Sequence, residues 1–306
     1  MTIIDPANRG TAAATGVVGE AGIADVAVAR PLRKDVWKRF RRNKLALVGL
    51  FVIVALVLMA LFAPLIAPHG ISDRTSDFRQ GPSSKHWFGT DAIGRDEFSR
   101  VVFGARVSLK VGIAATAIAL VIGVLLGSLA GFFSGAADTL IMRITDIFLA
   151  IPYIILAIAI ATAIGRGENS VILVLGFTGW LAICRIVRSS FLTLKNLEYV
   201  EAAKALGLSR LRIMFRHVLP NALQPIIVYG TISIGAVILA EAALSFLGVG
   251  AVDPTPAWGL MVNDGRRNIV NAPHLLLFPG GAIFITVLAF VFVGDGLRDA
   301  LDPKLK

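Results

Sequence analysis

From residue 45 onward the chain is organised by long apolar runs separated by shorter polar stretches, with no sustained two-residue alternation. A hydrocarbon core about 30 Å thick takes roughly 20 helical residues to cross. Six stretches meet or approach that length: 45–67, 107–133, 140–164, 171–190, 223–247 and 275–295. The pattern predicts an all-α polytopic membrane protein with six transmembrane helices. The third stretch is the least clean. Asp138, Arg143 and Asp146 occupy its first turns, which puts them at an interface or against protein, and Pro152 should kink the apolar remainder. In the second, Ala115, Ala119, Gly123, Gly127, Gly131 and Gly135 recur at every fourth position. Such a stripe lets helix backbones approach closely; a pore lining is the alternative.

The polar remainder divides the chain. Residues 1–29, rich in Ala, Gly, Thr and Val, lack the basic start and continuous apolar core of a cleaved signal peptide and read as a disordered cytoplasmic tail. Residues 30–44 carry eight basic side chains (Arg30, Arg33, Lys34, Lys38, Arg39, Arg41, Arg42, Lys44) with Trp37 and Phe40 interleaved. An apolar span follows at once, so this is a juxtamembrane segment facing anionic lipid, and no nucleic-acid partner is expected. Residues 68–106 form an extracytoplasmic segment after the first span, 45–67. Residues 107–306 hold the other five helices and a cytoplasmic connection at 199–221.

Composition sharpens the class. With 56% hydrophobic and 16% charged residues and a mean hydropathy of +0.77, a soluble enzyme is excluded. The formal charge of +10 is unevenly spread. With the N-terminus inside, 20 Lys and Arg fall on the inner side and 9 on the outer, leaving Lys110 at a span edge. That bias sets both termini on the cytoplasmic side of the membrane. Cys184, the sole cysteine, reads as a small packing residue in an apolar stretch.

No catalytic set emerges. No Gly-Lys dipeptide occurs, which removes the G-x-x-x-x-G-K-[ST] route to ATP. His69, His86, His217 and His274 are scattered without H-E-x-x-H or cysteine partners, so no metal site is expected. Ionisable residues lie near span ends, unlike the intramembrane relays of a secondary transporter. Glu241 is the exception, read as a hydrogen-bonded structural acid near the outer interface, with a gating or substrate contact as the alternative.

The most informative polar stretch runs from Tyr199 to Asn221. Glu201, Ala202 and Ala203 should start a short helix, Gly207 permits a backbone reversal at its end, and Ser209 can cap a second helix. Leu219 and Pro220 should end that second helix before the fifth span. Two short helices about a glycine turn would make a cytoplasmic lever suited to a partner's groove; a plain connecting loop is the other reading.

This spacing resembles the "EAA" loop of permease subunits of ABC importers: E-A-A, a glycine six residues after the Glu, and a later L-P. Glu201, Ala202, Ala203, Gly207, Leu219 and Pro220 match it, whereas the second E-A-A at Glu241 has Leu247 in the glycine position. Four stretches are similar to the C-type subunit of dipeptide and oligopeptide permeases. They are His86–Leu109, the 199–221 loop, Ala240–Gly250 with the W-G at Trp258, and G-D-G-L-R-D-A-L-D-P-K near the end. The resemblance covers about 30–306. It implies a type I ABC importer permease fold, multi-pass in a bacterial plasma (inner) membrane, in a chain that is not itself an enzyme. The implied partners are a homologous second permease, two cytoplasmic ATPases that hold ATP and Mg, an extracytoplasmic solute-binding protein and a peptide substrate. It gives the six matching positions the ATPase-coupling role and assigns this chain no cofactor of its own. Nickel permeases share the motifs, and an ATP-independent channel or secondary carrier is the reading from another class.

Overall fold

The computed structural model describes residues 32–302, and the tail at 1–29 and the last four residues lie outside them. Helices α1 (Leu32–Phe40), α2 (Lys44–Leu61), α3 (Ala63–Ile66), α4 (Glu97–Phe133), α5 (Gly135–Leu149), α6 (Tyr153–Ile164) and α7 (Glu168–Leu194) come first. They are followed by α8 (Glu198–Ala205), α9 (Arg210–Ile213), α10 (Leu219–Phe246), α11 (Trp258–Gly265) and α12 (His274–Leu301). A π-helical turn at Met214–Val218 joins α9 to α10. Among the described residues there is no strand.

Five helical stretches are long and apolar enough to cross a membrane: Lys44–Leu61, Glu97–Phe133, Glu168–Leu194, Arg210–Phe246 and His274–Leu301. The sixth crossing comes from packing direction. Along α4 and α7, Ala119 meets Gly179, Gly123 meets Ile183 and Gly131 meets Phe191, so the two helices run parallel. The chain must therefore return between them, and α5 with α6 carry it back. Sequence predicts a kink at Pro152 within one helix, but the structure has a break there, with the two halves bent by 89°. Proline lacks the N–H that a continuing helix needs and disfavours helical backbone in the residue before it, Ile151. The pair also starts earlier than expected, at Gly135.

The small-residue stripe does bring backbones together. A Cβ on Gly127 would lie 2.6 Å from the Cys184 carbonyl oxygen, and one on Gly131 2.5 Å from the Phe191 Cβ. Gly135 is off the stripe, at φ +61 with nothing within 4 Å of its would-be Cβ. Cys184 is fully buried beside Trp180, Leu181 and Ile141.

Elsewhere Gly112 faces Ile238 and Gly294 faces Ile232, which sets α10 antiparallel to both α4 and α12, and Gly49 packs on Ala289 to seat α2. The described chain's two ends, α8 and α9 therefore lie at one end of the bundle, and 67–96, α11 and the start of α4 at the other. Helix α4 begins ten residues before the predicted span. Asp96 accepts a hydrogen bond from Ser99 N at 2.8 Å and caps it. Arg106 closes the junction with α2, its Nε donating to Ala60 O and its Nη2 to Leu61 O at 2.9 Å.

Candidate functional site

The segment between α7 and α10 forms the first candidate site. In α8, Val200 and Ala203 are buried against Val187, Phe191, Met214 and Val218, while Glu198, Glu201, Ala202, Lys204 and Ala205 face outward. The spacing of three puts both small apolar residues on one side of the helix, so the opposite side is free for contact. The helix starts at Glu198, one turn before the predicted Glu201. It ends as the spacing predicts: Gly207 has φ +75, Leu208 N donates to Ala203 O at 3.2 Å and Gly207 N to Lys204 O at 2.9 Å. These are the paired bonds of a Schellman stop, in which a left-handed residue is needed and glycine adopts it freely.

Beyond the turn the structure corrects two expectations. Ser209 stands at the N-cap position of α9 without a side-chain capping bond. Leu219 and Pro220 do not end the second helix; they lie inside a helical run that extends from Arg210 to Phe246. The π turn makes this continuity feasible. Pro220 cannot donate and its ring would collide with the carbonyl four residues back, whereas a widened turn moves the bonding by one residue. Leu219 N accordingly reaches Met214 O, and Asn221 Nδ2 donates to His217 O at 2.6 Å.

The exposed rim is apolar at its tip and charged at its flanks. Leu206 is 81% exposed, Leu211 and Phe215 are also exposed, and Glu198, Glu201, Lys204, Arg210, Arg212 and Arg216 surround them. From below, Lys195 Nζ donates to Gly131 O at 2.9 Å and Ser134 Oγ at 2.5 Å, tying the segment to the end of α4. Sequence reasoning missed Lys195 as a brace, because nothing local distinguishes it from the other basic residues counted for topology. Four of the six predicted coupling positions fall in this segment, and Leu219 and Pro220 open α10 directly after it. Glu201, Ala202 and Gly207 are exposed, Ala203 is buried, Leu219 is half-buried and Pro220 is at the surface.

The opposite end holds a polar cap. Arg95 donates from Nε to Asp91 Oδ2 at 2.6 Å and from Nη1 to Asp253 Oδ1 at 2.5 Å. A cavity of about 500 Å³ beside them is lined by Arg79, Glu97, Arg100, Asp264 and Arg267 among others. Burial raises the Asp264 carboxyl above its ordinary range, against the pull of Arg100 and Arg95. Trp258, fully buried, donates from Nε1 to Val101 O at 2.9 Å. Glu241 is 1% exposed and accepts from Ser245 Oγ at 2.7 Å and Ser108 Oγ at 3.3 Å, the surroundings expected of a structural acid. His86 Nδ1 lies 2.8 Å from Asp96 Oδ1, and His69 joins this pair, so the scattered histidines of the sequence are partly gathered in space.

Known proteins resemble this chain over most of its length. The family described as binding-protein-dependent transport system inner membrane component matches residues 123–306, and the N-terminal transmembrane domain of oligopeptide transport permease C matches residues 31–82. The chain is 47% identical to the dipeptide transport system permease protein of Alkalihalophilus pseudofirmus over 89% of its own length and 90% of that protein's. It is 45% identical to the oligopeptide transport system permease protein of Bacillus subtilis, covering 90% of each. It is also 45% identical to the glutathione transport system permease protein of Pectobacterium atrosepticum, over 93% of this chain and 95% of that one. Among solved structures, an inward-facing methionine ABC transporter superposes with a TM-score of 0.55 at 22% identity, over 66% of this chain and 97% of that one. That last likeness speaks to fold alone.

Proposed function

The chain belongs to the family of binding-protein-dependent transport system inner membrane components, and from that membership we propose that it is one permease half of an ATP-driven importer of di- or oligopeptides. The names of its relatives, dipeptide, oligopeptide and glutathione permeases, support a peptide cargo and do not favour nickel. A homologous permease completes the path, an extracytoplasmic binding protein delivers the peptide, and two cytoplasmic ATPases holding ATP and Mg drive the cycle. The 20-to-9 asymmetry of basic residues supports placing both termini and the 198–218 segment in the cytoplasm, with the polar cap outside.

The observation that carries the mechanism is continuity. From Arg210 onward the coupling segment is the near end of a 37-residue helical run that reaches the cap, about 55 Å long at 1.5 Å per residue. Glu201, Leu206 and Gly207 lie before that run, but α8 rests through Val200 and Ala203 on Met214 and Val218, so force applied there passes to a rod that also packs α4 and α12. Closing of the ATPases would tilt this rod against its partner permease, opening the path alternately to either side. The exposed leucines offer the apolar contact, and the surrounding charges its orientation.

The test is Glu201→Lys in the assembled complex. Membrane-inserted protein should stay near the unaltered level, while peptide uptake, ATPase copurification and hydrolysis stimulated by loaded binding protein should fall at least tenfold. Normal values in all three would reduce residues 198–218 to a connector and remove the mechanism.

A further inference from the structure

At the cap, three side chains of metal-ligating type converge from three places in the sequence. His69 follows α3, His86 lies in the long connection, and Asp96 caps α4. One ligand atom from each lies within 4.8 Å of the others. His86 Nδ1 is 2.8 Å from Asp96 Oδ1, His69 Nδ1 is 3.8 Å from Asp96 Oδ2, and the two imidazole centroids are 5.2 Å apart.

Each member is held in place by other bonds. Asp96 Oδ2 accepts from Ser99 N at 2.8 Å and Ser99 Oγ at 2.7 Å, and Ser99 Oγ accepts from His69 N at 3.2 Å. His86 N donates to Ser83 Oγ at 3.0 Å. A purely structural cluster would use its remaining nitrogens, because a buried polar atom without a partner is costly. Here one that faces the cluster remains unused: His69 Nδ1 is buried without a hydrogen-bond partner among the described residues, and His86 Nε2, on the far side of its ring, is unpartnered too. His69 Nδ1 faces a carboxylate across a gap too long for a hydrogen bond. The edge of a tetrahedral zinc shell with ligands at about 2.0–2.1 Å is roughly 3.3 Å. The gap thus suits two ligands of one ion.

We propose that His69, His86 and Asp96 form a zinc-class divalent-metal site that clips the 67–96 connection onto the start of α4. Two imidazoles and one carboxylate are the donor set of zinc, and the shell holds too few oxygens for calcium or magnesium. Binding takes the place of the proton between His86 Nδ1 and Asp96 Oδ1; through exchange with solvent the neutral imidazole carries its single proton on Nε2, and the 2.8 Å contact widens by about half an ångström to the edge of the shell. Asp77 Oδ2 lies 3.8 Å from His86 Nε2, beyond hydrogen-bond reach, and is an acidic neighbour on the far side of the metal-bound imidazole. The fourth position falls to water beside His69, whose side chain is 29% exposed while those of His86 and Asp96 are enclosed.

The experiment uses the assembled complex carrying a histidine-free affinity tag, stripped with chelator, exposed to zinc chloride and desalted. Metal content and melting temperature are then read against His69→Ala and Asp96→Asn. The first variant removes the half-exposed ligand; the second keeps a residue suited to the helix cap but weakens the ligand. The unaltered complex should retain one zinc per chain more than either variant and melt several degrees higher with zinc than without, and magnesium should do neither. Should one variant fail to assemble, His69→Gln decides in its place. Equal zinc retention by the unaltered complex and the variants, or a melting temperature indifferent to zinc, overturns the site.

Discussion

The two ends of the helix bundle treat charge in opposite ways. At the cap, Arg95, Arg100, Glu97, Asp96 and His86 are all enclosed, the least so being Arg95 at 6% exposure, and Arg95, Asp96 and His86 are tied into hydrogen bonds. At the other end, Glu198, Glu201, Lys204, Arg210, Arg212 and Arg216 are exposed, and none forms an ion pair within 4 Å among the described residues. An enclosed charge has surrendered its hydration and is stable only in one arrangement, so it fixes shape. An exposed charge keeps its hydration, costs the fold little, and remains available to a second protein. The cap is thus built to hold still, the other end is open to the partners proposed for it, and the two should fail differently when altered.

The largest effect belongs to the cap. Trp258 is fully buried, its ring lies on Gly104, and its Nε1–H serves the Val101 carbonyl. Trp258→Ala should cost about 3–5 kcal/mol through the cavity and the abandoned carbonyl. It should appear as a collapse in the yield of monodisperse protein and a fall in melting temperature, with uptake lost in proportion. A variant that assembles normally and melts within a degree of the unaltered protein would erase the contrast between the ends.

How much of this was legible in sequence depends on the kind of signal. The apolar runs gave the span count and the Gly207 turn its handedness, since both are local properties. The break at Pro152 was readable as a disturbance, but its 89° size depends on what α5 and α6 pack against. The motif stretches were read as family marks, and structure supplies their physical reasons. Trp258 sits on Gly104, Gly259 presses against the Ala242 carbonyl, and Gly296 admits Ala46. What stayed hidden depends on tertiary structure. Leu219 and Pro220 read as a stop because proline usually ends a helix, yet the π turn, a tertiary accommodation, carries the helix through. The histidines were judged by spacing along the chain, and only folding brings His69, His86 and Asp96 together.

A smaller effect on stability, with a larger one on function, is expected at Gly207. Its φ of +75 lies where a β-branched residue is strained, and nothing lies within 4 Å of the Cβ position, so Gly207→Val meets strain without collision. The cost is about 1 kcal/mol or somewhat more. Inserted protein should fall by less than half, whereas uptake should fall at least tenfold as the stop between α8 and α9 is rebuilt. Uptake that tracks protein amount would mean that the turn's shape is not read by a partner, and the coupling end would behave like the cap.

The smallest effect is expected where sequence reasoning and structure part company. Asp96 and Ser209 both occupy N-cap positions and both belong to residue types that favour them. Asp96 uses its carboxylate fully, accepting from Ser99 N and Oγ and meeting His86, whereas the Ser209 side chain makes no capping bond. A used cap is worth about 1 kcal/mol and an unused, solvated hydroxyl is worth little. Moreover α9 is only one turn, and it is continued by the π turn and α10, so its start is held by the packing of Ile213 and Met214 beneath it. Ser209→Ala should therefore change the melting temperature by no more than a degree and leave uptake within twofold. A drop equivalent to about 1 kcal/mol would show that the hydroxyl does cap α9, and that the coupling end relies on local capping as the cap region does, not on the long helix behind it.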